Sequence, residues 1–284
     1  MWRKLMEARI WGRIWRERLV EPIHLNAASL FVAIFGDFRA KVAHDLVLRP
    51  CHAWGLLTAA DMANRVGIKK ICAIEFGVAN GTGLMNMAKV AQRVTNLTGI
   101  NFEITGFDTG EGMPAARDWR DHPEHYHRGD YPTSVGRGNL DRMLPKNARV
   151  FWGQIAETLP KFMEELSCPI GFISLDVDYY SSTLDALAIL DGPVERYMPW
   201  VPLYFDDIQY LEHNRFAGQL LAIEDFNSSR AFRKIDQIRS LAETRLFRRP
   251  RWIHQMFMAH IFDHPHRQES LSRLGGVILA NPYL

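Results

Sequence analysis

The chain has 284 residues, 47% hydrophobic and 23% charged, enough to bury one substantial core. A formal charge of +2 gives no reason to expect nucleic acid as a partner, and three scattered cysteines (Cys51, Cys72 and Cys168) make neither a disulfide framework nor a zinc motif. No run reaches the roughly 18 apolar residues of a membrane span, so a cytoplasmic location without stable membrane insertion is expected.

In residues 1–20, Arg3, Lys4, Arg9, Arg13, Arg16 and Arg18 alternate with Trp2, Ile10, Trp11, Ile14 and Trp15. The apolar pairs at 10/11 and 14/15 suit one helical face, either packed on the body or a second copy, or laid on a membrane surface. The packed reading is the expectation, with a homo-oligomer held through N-terminal helices as one form of it. Residues 26–67 continue helical without strand alternation, so 1–68 reads as a helical extension or cap.

From Lys69 the pattern changes to short apolar runs alternating with helical stretches. The runs are Ile71–Ile74, Phe102–Phe107, Arg149–Trp152, Ile170–Leu175 and Val201–Phe205, with helices expected over 82–97, 155–166, 181–190 and 215–227. Such alternation implies a parallel sheet covered on both faces, here over residues 69–284. Two last strand candidates, Trp252–Phe262 and Gly276–Ala280, lack a strong helical pattern between them and are expected to pair antiparallel. The segment 115–144 interrupts the alternation and is a candidate lid.

The run Glu75-Phe-Gly-Val-Ala-Asn-Gly-Thr-Gly83 follows an apolar strand and opens a helix. Open α/β sheets bind ligands at the carboxyl ends of their strands, where glycines let the backbone turn and approach closely. A dinucleotide loop needs Gly or Ala where this chain has Asn86, and a Walker loop needs Gly-Lys-Ser/Thr, which is absent. What remains, acidic-x-Gly-x-x-x-Gly-x-Gly, is the arrangement that receives S-adenosylmethionine. Glu75 is then placed for the methionine ammonium, and Gly77, Val78, Asn80, Gly81 and Gly83 are candidate contacts of the loop. At the end of the second strand Asp108 can accept both ribose hydroxyls, with Thr109 beside it. Gly153 and Gln154 end the third strand and are further cofactor candidates.

Ser174-Leu-Asp-Val-Asp178 ends the fourth strand and Tyr204-Phe-Asp-Asp207 the fifth. Neighbouring parallel strands deliver their ends to one rim, so Asp176, Asp206 and Asp207 are expected to converge. Carboxylates so close repel unless a cation sits among them. A hard, oxygen-liganded ion such as Mg²⁺ suits a set without His or Cys. Asp178, two residues on, reads instead as a cap of the following helix through the Ser181 or Ser182 amides.

Taken in order, Glu75-Phe-Gly-Val, Phe107–Pro114, Leu175–Thr183, Asp206-Asp207 and Ala222–Phe226 resemble the macrocin O-methyltransferase family over roughly residues 70–230. The resemblance implies a Rossmann-like class I methyltransferase fold: a mostly parallel seven-stranded sheet with a C-terminal antiparallel hairpin. It implies a sugar or small-molecule hydroxyl as acceptor and S-adenosylmethionine and Mg²⁺ as cofactors. Glu75, Gly77, Gly81 and Asp108 would hold the cofactor, and Asp176, Asp206 and Asp207 the metal, with Asp176 and Asp207 acting on the reaction through it. It carries no catalytic base, for which His122, His125 and His127 are candidates in a metal-independent alternative. A non-catalytic S-adenosylmethionine-binding protein is the other alternative. The chain departs from the family at Tyr197-Met-Pro-Trp-Val-Pro202, where a Gly-Gly pair is usual, and at Arg248-Arg-Pro-Arg251.

Overall fold

The computed structural model describes residues 15–209 and 213–267. Most of the basic N-terminal segment and the expected strand at 276–280 lie outside these residues. Seven strands form one sheet: β1 (Lys70–Phe76), β2 (Asn101–Asp108), β3 (Ala148–Trp152), β4 (Ile170–Leu175), β5 (Trp200–Phe205), β6 (Arg233–Gln237) and β7 (Met256–Ile261). Their order is β3-β2-β1-β4-β5-β7-β6. The first five are parallel, and β7 runs antiparallel to both β5 and β6. This is the class I methyltransferase topology, with the switch point between β1 and β4.

The runs of β1 and β4 are strands buried on both faces, while β3, at the sheet edge, is only partly covered. Every residue of β4 and all but Lys70 of β1 are buried, as a parallel sheet between two helical layers requires. Helices α1 (Ile23–Phe35) and α2 (Phe38–Ala43) precede α3 (Pro50–Arg65), which lies on β1, β4 and β5 beside α4 (Thr82–Thr98). Gly55 seats α3 on the sheet, since a Cβ there would fall 2.2 Å from the Phe172 ring. Helix α4 is bounded by Gly81 and Gly99, both left-handed, the conformation that lets a chain enter and leave a helix sharply. The short α5 (Arg137–Met143) falls inside the lid candidate. Helices α6 (Ile155–Glu165), α7 (Tyr180–Leu187) and α8 (Gly218–Ser229) pack on one another as the second layer, and α9 (Leu241–Thr244) is a single turn.

The antiparallel closure is present, but its members differ from the expected pair. β7 occupies the expected Trp252–Phe262 stretch, with Arg251–Gln255 as a 3₁₀ turn, yet its edge partner among the described residues is β6, which precedes it. β6 escapes a sequence search because only Ile235 of its five residues is buried. An edge strand with one covered face carries no apolar run.

The unusual approach to β5 leaves its register intact. Proline cannot donate to a ladder, and the pairing of β5 with β4 begins at Leu203, just past Pro202. Leu203 to Phe205 then align with Ile173 to Leu175, which delivers Asp206 and Asp207 beside Asp176.

No described helix is long and apolar enough to cross a membrane. Helix α1 exposes Ile23, Leu30, Phe31, Ile34 and Phe35, an apolar face on the N-terminal side of the body.

Candidate functional site

The carboxyl ends of β1, β2, β3, β4 and β5 surround a cavity of about 360 Å³, within the range of small-ligand sites. Gly77 and Ala79 of the glycine loop line it, with Asp108 and Thr109, Gly153 and Gln154, Asp176, Asp206 and Asp207. The remaining loop candidates are not part of this lining. Val78 is buried, Asn80 accepts from the Ser134 amide at 2.7 Å, and Gly81 lies against Leu140.

The glycines are required by the protein's own packing. A Cβ on Gly77, whose φ is +85°, would lie 1.8 Å from the Asp176 carbonyl oxygen, so this glycine lets β1 and β4 close on each other at the switch point. A Cβ on Gly83 would overlap the Glu75 carboxylate at 2.0 Å. Glu75 therefore lies beneath the start of α4, 1% exposed, with Oε1 3.8 Å from His52 Nε2 and Oε2 without a hydrogen-bond partner. Burial raises its pKa to about 8, opposed by the charge of Arg49 and reinforced by the surrounding aspartates.

This burial has a consequence for stability. A folded-state pKa above the unfolded value means that the native state holds the proton more tightly. The favourable contribution is complete below about pH 4.5 and lost as pH rises through about 8. We expect Glu75→Gln to flatten this decline, so that at pH 8 it melts above the ligand-free wild type, by about 2–4 °C for each kcal/mol recovered. Equal melting temperatures for the two proteins at pH 8 would contradict it.

Asp108 is more occupied than the sequence suggests. Its Oδ2 accepts from the Val78 and Ala79 amides at 2.7 and 2.8 Å, and Oδ1 from the Gly110 amide at 2.5 Å. It ties the glycine loop of β1 to the end of β2 while still facing the cavity: the loop's two amides fill Oδ2, and Oδ1 keeps one lone pair.

Asp176, Asp206 and Asp207 converge as expected, with one ligand oxygen from each within 4.8 Å of the others. Asp207 is buried, its amide donates to Gln219 Oε1 at 3.1 Å, and its Oδ2 has no partner. The Tyr204 hydroxyl donates to Asp206 Oδ1, and Gln255 holds the Asp206 carbonyl. Burial and the charges of Asp206 and Asp178 push Asp176 up to about 8. Burial, then Asp178, Asp176 and Asp206, raise Asp207 well above the carboxylate range. An all-oxygen set with an unpartnered buried oxygen fits a hard divalent cation.

Asp178 does not cap α7. It lies in the same cavity, close enough to Asp207 to share a proton and hydrogen-bonded by Tyr126, with its backbone in the left-handed region at φ 57°. The cap is Asp121, whose Oδ1 accepts from the Ser181 amide at 2.8 Å and Oδ2 from its hydroxyl at 3.0 Å. A carboxylate beside Asp206 and Asp207 meets their repulsion, and the hydrogen bonds with Asp207 and Tyr126 hold Asp178 there.

Arg49 went unnoticed in the sequence. It precedes α3 in a left-handed conformation, φ 47°, and its charge acts on Glu75, Asp176 and Asp206. It lines a second cleft of about 740 Å³ that meets the first at Asp206. Non-glycine residues with positive φ concentrate around these two clefts, at Asp45, Arg49, Ala79, Tyr131 and Asp178, a pattern of strain found at functional sites. None of His122, His125 and His127 lines the main cavity; His127 is exposed, and His122 is buried with Nδ1 2.9 Å from Glu124 Oε1.

No family model matches the chain, and no curated protein matches it. Among solved structures it is similar to CalS11, a calicheamicin methyltransferase, at 20% identity over 61% of this chain and 70% of that one, with a TM-score of 0.45. It is similar to the O-methyltransferase TomG from Streptomyces achromogenes, involved in tomaymycin synthesis and solved with SAM, at 10% identity over 83% and 96%, with a TM-score of 0.43. An O-methyltransferase from Bacillus cereus in complex with SAH is similar at 12% identity over 82% and 96%, with a TM-score of 0.41.

Proposed function

We propose that the protein is an S-adenosylmethionine-dependent O-methyltransferase whose transfer to a sugar or small-molecule hydroxyl is assisted by Mg²⁺. The observation that carries this reading is the placement of three converging carboxylates, Asp176, Asp206 and Asp207, in the same cavity as Asp108 and the β1 glycine loop. One wall suits a nucleoside, the other a hard cation.

A buried acid, Glu75, and a half-buried base, Arg49, lie close to the loop and suit an amino-acid ligand. Glu75, with one oxygen unpartnered, would take the methionine ammonium, and Arg49, whose charge acts on Glu75, its carboxylate. Asp108 Oδ1 would accept a ribose hydroxyl on the one lone pair that the backbone bonds leave open. S-adenosylmethionine supplies a methyl group already activated on sulfonium, so the chain has little covalent chemistry to perform. Mg²⁺ supplies positive charge that lowers the pKa of an acceptor hydroxyl. The residues then orient and exclude water: Asp176, Asp206 and Asp207 fix the cation, and Met113, Pro114 and Tyr131 from around the lid segment close over the cavity.

Calorimetry tests the reading. S-adenosylhomocysteine should bind with one-to-one stoichiometry, and NADH should give no heat. Tight NADH binding without a response to S-adenosylhomocysteine would end the proposal.

A further inference from the structure

Beside the carboxylate site, the loop His122-Pro-Glu-His125 gathers a second set of ligand-bearing side chains. It follows the 3₁₀ turn Trp119–Asp121, and the His125 amide bonds back to the His122 carbonyl at 2.9 Å, which folds the two histidines toward each other. One ligand atom from each of His122, Glu124 and His125 lies within 4.8 Å of the others. His122 is 3% exposed and in the left-handed region at φ 52°, a conformation that costs a non-glycine residue free energy.

The hydrogen bonding of this cluster is incomplete. His122 Nδ1 meets Glu124 Oε1, but the Nε2 atoms of both His122 and His125 are buried without partners. A buried polar atom left unsatisfied costs stability, and an imidazole nitrogen so placed is either a standing cost or a ligand. The His213 ring stacks on His122 with centroids 5.0 Å apart and lies 6.1 Å from that of His125. The cluster thus has a third imidazole against it, whereas the neighbouring site is built of carboxylates.

We propose that His122, Glu124 and His125 bind a borderline divalent transition-metal ion, Zn²⁺ being the natural probe. Two imidazoles and one carboxylate select such an ion over Mg²⁺, which takes oxygen ligands and keeps its waters. The neighbourhood gives the ion a structural task. Tyr126, next in the chain, hydrogen-bonds Asp178, and its carbonyl accepts from the Tyr179 hydroxyl at 3.5 Å. An ion closing the 122–125 turn therefore fixes the segment that reaches over the carboxylate cavity. The assignment does not depend on the reaction proposed for that cavity.

The test uses the full chain, stripped with chelator and then held in excess Mg²⁺ to fill the carboxylate cluster. Zn²⁺ is titrated by calorimetry and by thermal melting, and Co²⁺ by its visible absorption. The expected result is one Zn²⁺ per chain, a rise in melting temperature, and Co²⁺ bands of a nitrogen-ligated site. His125→Ala and Glu124→Gln should each weaken Zn²⁺ at least ~10-fold, and Asp207→Asn should leave it unchanged. Because His122 is buried and His122→Ala can fail to fold, the two more accessible positions decide the matter. No Zn²⁺ binding, or Zn²⁺ binding indifferent to His125→Ala and Glu124→Gln, overturns the proposal.

Discussion

Asp207→Asn should reduce methyl transfer at least ~100-fold, because charge stabilisation by a bound cation is worth several kcal/mol and each tenfold is 1.36 kcal/mol. Its affinity for S-adenosylhomocysteine should change little, since Asp108, Glu75 and the glycine loop sit at other strand ends. The same substitution should stabilise the metal-free protein at neutral pH. Asp207 is buried among Asp176, Asp178 and Asp206, and its pKa is raised first by burial and then by their charges. A raised pKa contributes stability that is complete below the ordinary carboxylate value and fades as pH rises, over a range that for Asp176 extends to about 8. Removing one charge from the cluster relieves that penalty. Melting curves at pH 5 and pH 8, with EDTA or Mg²⁺, measure both effects. Wild type should lose stability towards pH 8 in EDTA and regain it with Mg²⁺; Asp207→Asn should lose less and respond weakly to Mg²⁺. An active wild-type preparation indifferent to chelator would remove the metal from the reaction.

The second large effect is expected at Asp108. Asp108→Ala deletes the acceptor of three backbone amides as well as the proposed partner of the ribose. Charge-assisted hydrogen bonds are worth about 1.5–3 kcal/mol each, so affinity for S-adenosylhomocysteine should fall at least ~10-fold and the ligand-free protein should also melt earlier. Asp108→Asn separates the two contributions. Its amide oxygen can still accept from the Val78 and Ala79 amides, while its NH2 faces the Gly110 amide, so stability should return in part and affinity stay reduced. If Asp108→Ala lowers the melting temperature and leaves the dissociation constant intact, Asp108 is only a clamp on the loop.

What could be read from the sequence was whatever depends on neighbours in the chain. Four largely buried strands and the edge strand β3 announced themselves as apolar runs, and the acidic and glycine positions after β1, β2, β4 and β5 followed because a strand's end is fixed by its own residues. The convergence of Asp176 with Asp206 and Asp207 was legible too, because adjacent parallel strands place their last residues side by side. β6 was not, since an edge strand with one covered face needs only Ile235 to be apolar.

The tertiary structure alone decided the partners. Asp121, and not Asp178, caps α7, and local sequence could not show it because the amide that needs a cap, Ser181, lies sixty residues from the carboxylate that reaches it. Arg49 precedes a helix like many arginines, and only the seating of α3 on the sheet turns its charge towards Glu75 and Asp176. Gly77 looks like a ligand-facing glycine in the motif, yet the atom it makes room for is the carbonyl of Asp176 on the next strand. Periodicity and motif spacing report the conformation of a segment. Which charge meets which depends on contacts between segments far apart in the chain, and those exist only once the sheet has closed.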